Sequence, residues 1–239
     1  GWECYVEANR QIAAVWPEGK GNVGYGANVG SNHTGKAPDQ EIWCGEGTFF
    51  GLGVDVKFPS DFTGSPYSIL ASGITCLPQR LEFPFSLINS PSATIPELSP
   101  SINELFPGWV LDQNIYMIKR NEGKYLARNK ARREEFVFEV FRPDIVRLMQ
   151  DARERLAAAP EQDLYTSRDI PGLGKNYVTP RAVASGIASY DFYINYYARL
   201  GLKEQLEQRE LTTGTETAAT LLTAGSEDQR WEHQRSILG

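Results

Sequence analysis

His33 stands in the run Ser31-Asn32-His33-Thr34-Gly35, with Lys36, Asp39 and Glu41 just behind it. An imidazole has an unperturbed pKa of about 6.5, so it suits a general base at neutral pH. Asp39 or Glu41 could orient the ring, with Asn32 as a further supporting group. Lys36 could meet a phosphate, and backbone N–H groups at the glycine turns could hold a developing oxyanion. A plainer reading is open at the same residues. Asn32 and Thr34 bond local backbone in turns, and His33 would then be one more polar turn residue. A metal site is not expected. Catalytic zinc normally takes three protein ligands, and the chain has two histidines, with His233 far away in the tail.

Other stretches carry weaker signals. Lys119, Arg120, Lys124, Arg128, Lys130, Arg132 and Arg133 lie within fifteen residues with Glu122 as the one acid among them. Arginine forks fit phosphate, so this run could clamp a phosphate-bearing ligand. It could equally be a solvated face balanced by Glu134 and Glu135. Arg80 and Lys57 are open to the same two readings. The stretch "GLGKN" (172–176) fails as a phosphate loop, because Asp169 and Asn176 stand where that motif needs Gly and Ser or Thr. It reads as a turn. Cys4, Cys44 and Cys76 are odd in number and far apart. That argues against a disulfide framework, suits a reducing, cytoplasmic compartment, and reads most simply as three small core residues.

The elements that must position these groups follow from patterning. Val23-Gly24 and Val29-Gly30 stand six residues apart, and Ile42, Thr48 and Val54 resume the beat after the insertion "GKAPDQE" (35–41). A six-residue period fits neither helix nor simple hairpin, and suits a parallel β-helix whose short faces end in turns. Residues 1–90 are therefore expected to form a parallel β-helix, 91–135 an irregular connector, and 136–239 an α-helical region with a partly mobile tail. Pro143 suits a first helical turn, with Ile145, Leu148, Met149, Ala152 and Leu156 on one face. Thr179-Pro180 reads as N-cap and N1 of a second helix. Its stripe is Val183, Ile187, Tyr190, Ile194 and Tyr197, and Gly201 is its expected stop. A net charge of −6 excludes a general nucleic-acid binder, and no apolar run approaches the ~20 residues of a membrane span. The chain opens on Gly1-Trp2 without Met and reads as part of a longer protein.

The stretches "GYGANVGSNHTG" and "SILASGITCLPQRLEFPFSLI" together resemble the hexapeptide-repeat superfamily of left-handed β-helix acyltransferases. The longer pattern through "GTFFGLGVDVKFPSDF" also resembles a group of longer, uncharacterised bacterial proteins. The resemblance implies a fold that is mainly β plus α, with a short left-handed parallel β-helix. It implies acetyl transfer from acetyl-CoA to a sugar or nucleotide-sugar acceptor. His33 would be the base, Asn32, Asp39 and Glu41 would support it, and Lys36 and Arg80 would contact the co-substrate. It implies a homo-oligomer, commonly a trimer; charge and the lack of a long apolar run are what speak against nucleic-acid and membrane partners. The alternative is a non-catalytic binding or assembly module of a larger protein related to sugar nucleotides.

Overall fold

The computed structural model describes residues 13–15, 21–29, 41–130, 132, 137–208, 215–223 and 225–239. Short strands fill the first half of the chain: β1 (Ala13–Val15), β2 (Gly21–Val23), β3 (Glu41–Trp43), β4 (Thr48–Phe50), β5 (Asp55–Val56) and β6 (Ser60–Asp61). They continue as β7 (Ile69–Leu70), β8 (Thr75–Cys76), β9 (Gln79–Arg80), β10 (Leu87–Asn89) and β11 (Asn103–Phe106). Helices α1 (Trp109–Gln113), α2 (Ile115–Arg128) and α3 (Pro143–Ala157) follow, then β12 (Asn176–Tyr177). Helices α4 (Pro180–Gln208), α5 (Thr215–Thr223) and α6 (Gln229–Leu238) close the described chain.

The strands sort into three sheets with orders β1-β3-β6-β9, β12-β11-β10-β7-β4-β2 and β5-β8. Successive strands pass from one sheet to the next. Ile42 therefore pairs in parallel with Ser60, and Ser60 in turn with Gln79. The six-residue beat finds its physical content here: Ile42, Thr48 and Val54 are all buried, each on or beside a strand of a different sheet.

The fold class expected from that beat is corrected by the sheet composition. A left-handed parallel β-helix followed by a separate helical region does not describe this chain, which is mixed α/β. Its largest sheet combines parallel and antiparallel strands. β11 runs antiparallel to β10, with Ile88 opposite Leu105, and β12 arrives from beyond α3 to pair in parallel with β11, Asn103 opposite Asn176. The hexad pattern records which side chains point inward. It says nothing about what covers the sheet edge after β10. The stretch expected to be an irregular connector, 91–135, supplies that edge strand together with α1 and α2.

One apolar core joins the two halves, running from Phe50, Leu70, Phe83 and Ile88 to Val146, Met149, Tyr190 and Tyr197. Helix α3 begins at Pro143, whose missing N–H falls on the first turn. Its buried face is Ile145, Val146, Met149, Ala152 and Leu156, which leaves Leu148 half-exposed. Thr179 caps α4: its Oγ1 accepts from the Ala182 N–H at 3.3 Å, and its carbonyl accepts from Val183 N–H. Gly201 does not end α4. It lies inside the helix because an added Cβ there would sit 2.1 Å from Gln234 Oε1, and Gln234 Nε2 donates to the Tyr197 carbonyl at 3.1 Å. The glycine marks the close approach of α6. Trp231 and Gln234 bury that helix against the rest, and Asp228 caps it by accepting from Arg230 and Trp231 N–H.

A polar bolt crosses the core boundary. Arg142, just before α3, forks onto Glu46: Nη1 donates to Oε1 at 3.0 Å, and Nη2 bonds Oε2. The Tyr67 hydroxyl also donates to Glu46 Oε1. Burial, reinforced by the Glu46 carboxylate, pushes the Tyr67 phenol well above its ordinary pKa. The sheet end of the core and the first turn of α3 are thereby held by one buried charge pair.

Candidate functional site

A cleft of about 760 Å³ opens between the turn after β6, the strand β9 with its extension, and α3. Thr63, Gly64, Arg80, Glu82, Leu148, Asp151, Glu154, Arg155 and Ala158 line it. Each wall has a local cause. Asp61 Oδ1 accepts from Thr63 N–H at 2.9 Å and from its hydroxyl at 2.6 Å, which folds the turn. Strand alternation turns Gln79 inward and Arg80 outward. Gln79 anchors β9 by accepting from Lys175 N–H at 3.0 Å and Asn176 Nδ2 at 2.6 Å. On α3 and its C-cap Ala158, helical spacing puts Leu148, Asp151, Arg155 and Ala158 on the side away from the core.

Glu82 pairs with both arginines of the cleft. Arg80 Nε lies 2.9 Å from its Oε1, and Arg155 Nη1 lies 2.9 Å from its Oε2. The two guanidiniums differ in freedom. Arg155 also donates to the carbonyls of Asp151, Pro171 and Glu82, at 3.2, 3.1 and 2.5 Å, and lies 4.7 Å from the centroid of Phe83. It is a structural pin. The site tolerates it only because residue 172 is glycine: a Cβ there would stand 2.2 Å from Nη1, and its φ of +90° is one side chains avoid. Arg80 is 70% exposed, with Asp61 as its second carboxylate at 3.8 Å, and is free to swing toward a ligand. Asp151 and Glu154 are exposed and have no ion pair among the described residues.

Each Glu82 oxygen keeps a second lone pair beside its guanidinium. A carboxylate held in this way can accept from neighbouring hydroxyls, while Arg80 can donate to a phosphate or carboxylate. The nine lining residues include no histidine, cysteine or lysine. The volume of the cleft lies in the range of small-molecule sites.

Of the residues singled out from the sequence, Arg80 is in this cleft. Asn32, His33, Lys36 and Asp39 lie outside the described residues; Glu41 is the first residue of β3. The other histidine is placed: His233 on α6 lies 3.3 Å from both the Tyr197 hydroxyl and Gln150 Oε1. Burial, with a lesser push from Arg147, lowers its pKa below the ordinary value. Cys44 and Cys76 are buried free thiols, pushed up to about 12 by burial. No group of three or more metal-ligating side chains occurs among the described residues. The aromatic run on α4 is largely packing: Tyr190 donates to the Pro84 carbonyl at 2.7 Å, and Tyr193 stacks on Phe141 at 5.5 Å.

Sequence reasoning missed Glu82 and Arg155, which are 73 residues apart. No spacing links them. The one available signal was the glycine pair around Leu173, which announces a close approach without naming the partner.

Comparison with curated proteins shows a distant similarity. Over 158 residues the chain is 31% identical to an uncharacterized protein of Treponema pallidum (strain Nichols). The match covers 64% of this chain and 20% of that protein, so the matched part is about one fifth of the relative's length. No family model matches the chain, and no solved structure matches it. Among the described residues, no helix is long and apolar enough to cross a membrane.

Proposed function

We propose that this chain is a binding segment of a larger protein and that its cleft holds a small hydroxyl-rich ligand, a sugar or nucleotide sugar. The observation that carries this reading is Glu82 clamped between Arg80 and Arg155 within a cleft of about 760 Å³. Glu82, Asp151 and Glu154 accept ligand hydroxyls, and Arg80 takes any phosphate. The buried free thiols favour a reducing, cytoplasmic setting.

The test is a thermal titration with hexoses, hexose phosphates and nucleotide sugars. A ligand at 100 times its dissociation constant adds about 2.7 kcal/mol of stability. Arg80→Ala should weaken a phosphate-bearing ligand by roughly tenfold or more, from the loss of one charge-assisted contact of at least ~1.5 kcal/mol. A panel in which nothing shifts the melting temperature refutes the reading.

Acetyl transfer with His33 as base is the second reading, and "SNHTG" is what favours it. His33 would take the proton of an acceptor hydroxyl as its oxygen attacks the thioester carbon of acetyl-CoA. The carbon–sulfur bond would break, and the proton would pass to the leaving thiolate. If transfer is detected, His33→Ala should lower turnover by roughly 10² or more. Unchanged turnover removes His33 from the chemistry, and no response to coenzyme A argues against transfer by this chain.

A further inference from the structure

The basic run is helical. Lys119, Arg120, Lys124 and Arg128 lie on α2, and Lys130 and Arg132 follow it. Helix α2 buries only Ile118 and carries Tyr116 and Leu126 in the open. Lys119 sits 5.7 Å over the Tyr196 ring. Glu122, the acid of the helix, accepts from Val140 N–H at 2.9 Å and so is turned toward the body of the protein. None of the six cations has an ion pair among the described residues, whereas Arg80, Arg142, Arg153, Arg155, Arg230 and Arg235 all do.

Residues 115–133 carry a formal charge of +6, from seven cations and one acid. The whole chain totals −6, so the remainder stands at −12. Part of that charge is concentrated on a strip from the second half of α3 into the loop beyond it. Glu154, Glu161 and Asp163 are exposed there and unpaired among the described residues. No ion pair joins this strip to α2 within one molecule.

We propose that the exposed basic face of α2 docks on the acidic strip Glu154–Asp163 of a second copy of this chain. Charge complementarity selects this occupant. The molecule carries both halves of the contact, six cations on or just after α2 and three acids on the strip, and neither set has an ion pair among the described residues. A nucleic acid would find the cations equally, but would approach a body carrying −12. The contact joins two different surfaces, so it is heterologous: repetition closes a ring or extends a filament according to the rotation between copies. It is made of exposed charges and is therefore weak singly and sensitive to salt.

The experiment is sedimentation equilibrium of the full 239-residue chain, without ligand, over a range of protein concentration. Association is expected at about 50 mM salt and should weaken at least about tenfold at about 500 mM. The set Arg120→Glu, Lys124→Glu, Arg128→Glu should lose at least as much, as should Glu154→Lys, Glu161→Lys, Asp163→Lys. Circular dichroism confirms that each folds. Mixing the two variants should restore association, because the swapped charges again face their opposites. A chain that stays monomeric at low salt overturns the proposal, and so does association that neither reversal affects. Binding of a fluorescent single-stranded oligonucleotide to a monomeric chain, lost on reversal of α2, would assign the face to nucleic acid instead. Should a variant fail to fold, the salt dependence of the unaltered chain decides alone.

Discussion

Replacing Arg142 by methionine isolates the bolt between the sheets and α3. The change keeps most of the apolar stem and removes the guanidinium. Glu46, 4% exposed, would retain the Tyr67 hydroxyl and lose both bonds of the fork. Removing one partner of a buried charge pair costs about 3–5 kcal/mol. Arg142 keeps 13% of its side chain in solvent, and Tyr67 still donates, so the low end applies, about 3 kcal/mol. The lost bonds to Asp144 and the Glu139 carbonyl lie at the surface and add little. For a chain of this size each kcal/mol moves the melting temperature by roughly 2–4 °C, which gives a fall of about 6–12 °C. The assay is thermal and urea unfolding followed by circular dichroism. Adding Glu46→Gln to the methionine variant removes the stranded charge and should recover about 1–2 kcal/mol. A loss below about 1 kcal/mol, or a double variant worse than the sum of the singles, would refute the reasoning. Ligand affinity in the cleft should also fall in Arg142→Met, because the first turn of α3 sets the position of Asp151 and Arg155.

Three further outcomes are expected. Arg155→Leu removes donors to four oxygens and should destabilise the chain by about 2–4 kcal/mol, discounted for its partial exposure; unfolding titration checks it, and loss of the 171–172 turn should show as new protease cleavage there. His233 has a lowered pKa in the folded chain, so the fold favours the neutral ring. That contribution is complete above the unfolded value of about 6.5 and declines as pH falls below it, and His233→Gln should flatten the decline in a pH series of melting temperatures. Cys44 and Cys76, with pKa values of about 12, should resist alkylation at pH 8 in the native chain and react once it is unfolded; peptide mass spectrometry reads both sites, and prompt native labelling of either would contradict their burial.

Local chemistry was readable from the sequence wherever one element determines it. The Thr179–Pro180 start of α4 and the Pro143 start of α3 follow from backbone donors and φ, which neighbours in sequence fix. The inward positions Ile42, Thr48 and Val54 follow from a short-range beat. Gly201 was misread because a glycine that ends a helix and one that admits a neighbouring helix look alike until Gln234 is seen beside it. The fold class was misread for a related reason: the beat describes strands up to β10, and the edge partners β11 and β12 are chosen by packing with the helices. Arg80 was found as a phosphate candidate on its residue type alone. Its companions Glu82 and Arg155 meet through tertiary structure, and no pattern in either segment encodes the other.

The late arrival of β12 bears on how this protein is made. On the ribosome, at about 5–20 residues per second, the segment holding β1 to β10 is exposed for seconds before Asn176 and Tyr177 emerge. During that interval β11 presents an unsatisfied row of backbone donors and acceptors, the kind of surface that recruits strands from neighbouring nascent chains. A product stopped near residue 140 should therefore accumulate in inclusion bodies, while one extended through α4 should not.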